Sequence, residues 1–387
     1  MLIPHAIDFT LPTRILFGTD TVNNIGEIAV EYANKAFLIT NGDTMRKIGL
    51  LPKIENLLEK SGVDYILYDN ITRDPSNDIL DEIISLLRQS RTKLIIALGG
   101  RSVINTAKAC SYVALNDGSI VDYLNGKIGE NKSIPVIAIP TIPGIENVIC
   151  DYAILRDSND GIKKEIKNNA IFPKVVIYDP KINISLPQNY TFTSGVAILS
   201  NAIESYISSL ANAISDSLSL RAIELVAKNL RALLLNRDDI TARSAVLMGS
   251  LLTELSLLTS KVGICNALGL ALSSKTEIYQ NIAIAVLLPH VMEFNLTVAP
   301  NKYVQIARAF GEDISKITVV EAAIKAVEGV RKLLFDLKIP QKLSDYNVNN
   351  EDLPHIASIA RRYNFLNYLP TPVSKEDLLN IMFTAYE

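Results

Sequence analysis

Short apolar runs alternate with amphipathic stretches through the first half of the chain. Lys35-Ala36-Phe37-Leu38-Ile39-Thr40 leads into the turn residues Asn41-Gly42-Asp43, and a helix-like pattern follows through Leu58. Tyr65-Ile66-Leu67-Tyr68 reads as the next strand and Ile79 to Leu87 as the next helix. Two further runs, Leu94 to Leu98 and Ile134 to Ile139, end at Gly99-Gly100 and Pro140-Thr141. Strands that are apolar throughout, with helices between them, predict a parallel sheet covered on both faces. Past Leu186-Pro187 the period changes. Ile223, Val226, Ala227, Leu230 and Leu234 recur at helical spacing, and similar patterns run through 241–260 and 317–335. Glycine and proline become sparse until Ile339-Pro340, and no alternating run stands out. The pattern predicts an α/β domain over residues 1–187 and an all-helical (all-α) domain over residues 188–387.

Composition narrows the function classes. The chain has 387 residues, with 38 Lys+Arg against 41 Asp+Glu and a net charge of −3. Binding a phosphate backbone needs clustered cations, so nucleic acid is not an expected partner. The longest apolar run, Ile282 to Leu288, stops at Pro289 and is far short of the roughly 18 residues of a membrane span. Met1-Leu2-Ile3-Pro4-His5 lacks the basic start and apolar block of a secretion signal. Cys110, Cys150 and Cys265 are odd in number and form no CxxC, which suits a reducing, cytoplasmic location better than a disulfide framework. Imidazole is the scarce group: His5, His290 and His355 are the whole supply.

In an open parallel sheet, ligands bind beyond the carboxyl ends of the strands. Gly99-Gly100-Arg101-Ser102 is such an end, followed by a helix start that runs through Asn105 to Lys108. Glycine lets the backbone approach closely, and free N–H groups at a helix start hold phosphate oxygens. A tight turn that needs glycine for its own geometry is the other reading, because GxGxxG is absent. Pro140-Thr141-Ile142-Pro143-Gly144 ends the second run, where Thr141 offers a hydroxyl to a ligand or to the loop itself. Asn41-Gly42 offers a ribose contact or a plain turn.

These loops stand in a recognisable order. IIALGGRSVINTAKA, from Ile95 to Ala109, resembles the IIALGGGSVIDTAKA of the iron-containing (group III) alcohol dehydrogenase family. Leu11 to Gly18 resembles the opening strand of that family, and Phe172-Pro173-Lys174 through Ser185-Leu186-Pro187 resembles its domain junction. Leu287-Leu288-Pro289-His290-Val291-Met292-Glu293-Phe294-Asn295 is similar almost letter for letter to a helix of its second domain. The resemblance implies a Rossmann-like dinucleotide-binding domain, a helical domain of dehydroquinate synthase-like architecture, and a catalytic cleft between them. It implies oxidation of alcohols or reduction of aldehydes with NAD or NADP, helped by an iron or zinc ion held by one Asp and three His.

The residues that would hold that metal differ. The family pattern GMDALTHAIEAY corresponds to Gly195 through Tyr206, where Ala197 replaces the Asp and Asn201 the His. The pattern GLGLVHAMAHPLGALYNIPHG corresponds to Lys261 through Asn281. Its ligand positions hold Asn266 and Gln280, and a further histidine, beside the substrate in relatives, is Leu270. Neutral amides are weak donors, so no iron or zinc is expected. Glu204 and Glu277 are nearby in sequence but read as helix-packing or surface residues. In the cofactor loops Arg101 replaces the third glycine of GGGS, and Asn105 replaces an Asp. PTTAGTGSE becomes Pro140-Thr141-Ile142-Pro143-Gly144-Ile145-Glu146-Asn147-Val148, and Asn41 takes a position where relatives with Asp favour NAD.

Three readings follow. The chain is a metal-independent or catalytically impaired NAD(P)-linked oxidoreductase, with amides of Asn201, Asn266 and Gln280 at the substrate and Lys261 or Lys275 as proton donor. Or it is a pseudo-enzyme that serves an active paralogue as a structural or regulatory subunit. Or it binds a nucleotide or other small molecule without turnover. The resemblance also implies a homo-oligomer, a dimer or larger.

Overall fold

The computed structural model describes residues 6–386, so His5 lies outside the described residues. Leu11–Ser185 forms one compact unit. The other takes in residues 6–10 and 186–386.

The first unit alternates strands and helices. In chain order these are β1 (Arg14–Phe17), α1 (Ile25–Val30), β2 (Lys35–Thr40), α2 (Gly42–Lys47), α3 (Leu50–Lys60), β3 (Asp64–Tyr68) and α4 (Asn77–Ser90). β4 (Ile95–Gly99), α5 (Arg101–Val113), α6 (Ile120–Leu124), β5 (Val136–Pro140), β6 (Tyr152–Arg156), β7 (Lys163–Lys167) and β8 (Val175–Tyr178) follow. Six strands form one sheet in the order β1-β8-β5-β4-β2-β3, with every pair parallel. β4 and β5 are buried along their whole length, as continuous apolar strands require. The chain grows outward from β2 to β3, returns to β4 on the other side of β2, and then grows the opposite way. This reversal leaves a crevice beyond the ends of β2 and β4, the usual ligand position of such sheets.

Two features of this unit depart from the sequence reading. The helical stretch to Leu58 is two helices, broken at Gly49, whose φ of 73° lies in the left-handed region. β6 and β7 form an antiparallel hairpin outside the main sheet, which the sequence did not suggest. Lys163-Lys164-Glu165-Ile166-Lys167 carries charge at most positions, and its two buried residues, Lys163 and Ile166, lie on opposite faces of the strand.

The second unit is helical: α7 (Gln188–Ile207), α8 (Ala213–Leu235), α9 (Ile240–Ser256), α10 (Ile264–Lys275), α11 (Gln280–Leu296), α12 (Pro300–Ala309), α13 (Val319–Asp336), α14 (Leu353–Ala360) and α15 (Lys375–Thr384). Glycine sets how closely the first three approach. A Cβ on Gly195 would stand 2.4 Å from Leu230, and one on Gly249 would stand 2.3 Å from Val226. α11 does not stop at Pro289 but continues to Leu296, because Leu288, Val291 and Met292 keep its apolar face buried beyond the missing N–H. No helix among the described residues is long and apolar enough to cross a membrane.

Candidate functional site

The end of β4 delivers Gly99 and Gly100 to the start of α5. Both glycines serve local packing: a Cβ on Gly99 would meet Val103 at 2.6 Å, and one on Gly100 would meet Ile142 at 3.3 Å. Thr141, just past β5, donates its N–H to the Gly99 carbonyl at 3.0 Å, so the two candidate loops are joined. The Thr141 carbonyl accepts from Asn183 Nδ2 at 2.7 Å. Gly144 adopts φ 78°, where a side chain would be strained.

Arg101, the first residue of α5, donates from Nη2 to Glu146 Oε2 at 2.7 Å and to the Gly144 carbonyl at 3.3 Å. Ser102 Oγ accepts the Asp74 N–H at 3.3 Å. Asn105 is buried, and its Oδ1 accepts from Asn147 Nδ2 at 2.6 Å and from the Ile154 N–H at 3.1 Å. Lys108 is fully buried, with Nζ donating to the carbonyls of Asn147 and Cys150 at 2.5 and 2.9 Å. Asn41 stands at the end of β2 and accepts the Thr44 N–H, capping α2. The structure therefore brings Gly99, Gly100, Arg101, Ser102, Asn105, Thr141 and Gly144 together at one end of the sheet. Arg73, Asp74 and Lys163 join them, and sequence reasoning gave those three no role. Lys163 is 3.3 Å from Asp74, and Arg73 is 3.7 Å from it. A helix start flanked by Arg101, Arg73 and Lys163 fits the chemistry of a nucleotide phosphate.

The other candidate cluster lies in the helical unit. Ala197, Asn201 and Glu204 share one face of α7, and Asn266 sits in the first turn of α10. Asn266 Nδ2 donates to Asn201 Oδ1 at 2.6 Å and to Glu204 Oε2 at 3.0 Å. Glu204 also accepts the N–H groups of Gly263 and Cys265 at 2.7 and 2.6 Å. Its carboxylate thus satisfies open N–H groups at the buried start of α10, where negative charge is favoured. Burial pushes the Glu204 carboxyl up from the usual carboxylate range, and the Asn266 amide and the two N–H groups act against that rise. Glu204 was expected to be a packing or surface residue; it is a buried cap at the centre of the cluster. The signal for it was an acid one helical turn from Asn201.

Ala197 and Leu270 are buried and apolar, and Gln280 opens α11 beside Gly269. Lys261 borders a small cavity with Glu204, Ser208 and Tyr368, whereas Lys275 and Glu277 are exposed. His290 is half-buried in α11 near Arg331 and Glu293, and burial lowers its pKa. His355 is exposed on α14.

The side chains of Ala197, Asn201, Asn266 and Gln280 are poor donors for iron or zinc. They supply two amides bonded to each other, an alanine and a glutamine, and both oxygens of the adjacent carboxylate accept helix-start N–H groups. Among the described residues no group of three His, Cys, Asp or Glu could hold a metal ion.

A parallel sheet followed by a helical unit defines a two-unit α/β-plus-α architecture. The chain belongs to the iron-containing alcohol dehydrogenase family. The family's iron-containing alcohol dehydrogenase profile matches residues 12–180, and its C-terminal profile matches residues 191–386. The chain is 31% identical to the sulfoacetaldehyde reductase of Bilophila wadsworthia, over 94% of this chain and 95% of that one. It is 25% identical to the NAD-dependent methanol dehydrogenase of Bacillus methanolicus, over 98% of this chain and 99% of that one. The crystal structure of a 1,3-propanediol oxidoreductase matches with a TM-score of 0.94 at 27% identity, covering 99% of this chain and 100% of that one. The family is one of oxidoreductases of the alcohol dehydrogenase type, with members that use NAD.

Proposed function

We propose that this chain is a nicotinamide-nucleotide-linked oxidoreductase acting on an alcohol or aldehyde, whose remaining turnover does not run through iron or zinc. The observation that carries the reading is the closed cluster in which Asn201 and Asn266, at two positions where the family pattern has metal ligands, bond each other and the neighbouring Glu204. A metal ion contributes several kcal/mol to alkoxide stabilisation, and each ~1.4 kcal/mol lost is about tenfold in rate. The donor groups of Asn266 are already spent on Asn201 and Glu204, so they add little at a developing oxyanion. Arg101, Lys163 and the start of α5 bind and orient the nucleotide phosphates, and Thr141 and Gly144 shape the neighbouring loop. Turnover is therefore slow and indifferent to chelators.

The test is elemental analysis of the purified chain together with NADH oxidation against short aldehydes, sulfoacetaldehyde included, with and without EDTA. The expected result is far less than one iron or zinc per chain and a rate unchanged by EDTA or added metal. Stoichiometric metal, or activity abolished by EDTA and restored by iron or zinc, overturns the reading. The combined variant Ala197→Asp, Asn201→His, Asn266→His and Gln280→His should gain metal binding in the same analysis.

A further inference from the structure

Three cations and two carboxylates converge on the first turn of α5. Arg101 is paired with Glu146 at 2.7 Å, and Lys163 and Arg73 share Asp74 at 3.3 and 3.7 Å. The Asp74 N–H donates to Ser102 Oγ, which ties this turn to the helix. Lys163 keeps only 7% of its side chain exposed; burial lowers its pKa, with Arg101 and Arg73 acting the same way against Asp74. An excess of positive charge at a helix start is unfavourable by itself, because the helix dipole is positive there. An anion resolves it, and Glu146 is the anion the chain supplies to Arg101. The Arg101 side chain retains 21% exposure and that of Glu146 only 3%. An incoming phosphate therefore reaches the guanidinium while Glu146 stays behind it.

We propose that Glu146 is an internal counter-anion that weakens nucleotide binding at the start of α5 by neutralising Arg101, so that this one carboxylate sets the affinity for the nucleotide phosphates. The inference rests on the nucleotide reading above and adds a residue to it. Within the segment PTIPGIENV, a neutral residue in place of Glu146 leaves the guanidinium's whole charge to the ligand. Glu146→Gln keeps an acceptor oxygen for Arg101 and removes only the charge.

Calorimetric titration of the full chain with NADH and with NADPH tests this. Glu146→Gln should bind roughly tenfold more tightly than the parent, as expected for removing one like charge close to a phosphate. Its affinity should also fall more steeply with salt, a response that a merely structural role of Glu146 does not produce. Arg101→Gln should bind more weakly than the parent, and adding Glu146→Gln to it should recover little. Glu146→Ser, also neutral, carries the same test if the glutamine variant does not fold. Equal or weaker binding by the neutral variants, with the parent binding normally, overturns the inference and leaves the nucleotide reading intact. No binding by the parent or any variant overturns both.

Discussion

Replacing Lys108 by methionine removes a charge that the fold buries completely and uses as a clamp. Its ammonium donates to the carbonyls of Asn147 at 2.5 Å, Cys150 at 2.9 Å and Val148 at 3.5 Å, all on the segment that follows Glu146. Methionine nearly fills the volume, so the cavity cost is small. The loss is in hydrogen bonding. Two short bonds from a charged donor contribute about 1.5–3 kcal/mol each, so about 3–6 kcal/mol is removed. Relief from burying the charge returns part of that, which leaves a net destabilisation of about 3 kcal/mol. For a unit of this size that corresponds to a fall in melting temperature of roughly 6–12 °C. Urea unfolding followed by circular dichroism measures the change, provided the slope with denaturant is unaltered. Hydrogen exchange should quicken at Ile154 as well, because its N–H bonds to Asn105, which Asn147 holds. A variant within about 0.5 kcal/mol of the parent would refute the clamp, since surface-type substitutions already span that range.

Two further outcomes follow from the titrating groups. Burial raises the thiol pKa of Cys110 and of Cys265, with Asp81 and Glu204 respectively adding to it. Both should resist a thiol reagent at neutral pH in the native protein and react at once when it is unfolded; labelling of either within minutes under native conditions would sink this. The Ser374 backbone N–H, with its hydroxyl, holds the Asp377 carboxyl below the usual range and caps α15. A depressed carboxyl stabilises above its unfolded pKa and loses that contribution as the pH falls through its folded value. Asp377→Asn should therefore flatten the acid limb of stability against pH, and an unchanged limb would count against the cap.

The sheet was legible where strands are buried on both faces. β2, β4 and β5 each read as one apolar run, because no alternation is needed when helices cover both sides. The β6–β7 hairpin was not, since Lys164 takes a place on the Ile166 face and Lys163 is buried on the other, and the two are held by ion pairs to Asp157 and Asp74. The candidate positions were legible as letters. Their partners were not, because Asn201 meets Asn266 across 65 residues of sequence and Arg101 meets Glu146 across 45. Local pattern carries no information about such pairs.

The same geometry separates the packing face of α7 from the face that carries Asn201 and Glu204. On α7 the residue that fixes helix packing is Gly195, pressed against Leu230, whereas Asn201 and Glu204 point to the start of α10. The packing face and the polar face of α7 thus differ, so a change in one does not create a cavity in the other. An isolated buried amide would still cost about 1–3 kcal/mol per unmet group. Here Asn266 donates to both Asn201 and Glu204, and Glu204 takes the N–H groups that α10 leaves open, so the replacements meet most of one another's needs. Not every need is met: Asn266 Oδ1 is buried and accepts nothing from the described residues. Asn266→Leu, which removes that oxygen together with the amide donors, leaves Glu204 with the Gly263 and Cys265 N–H groups alone.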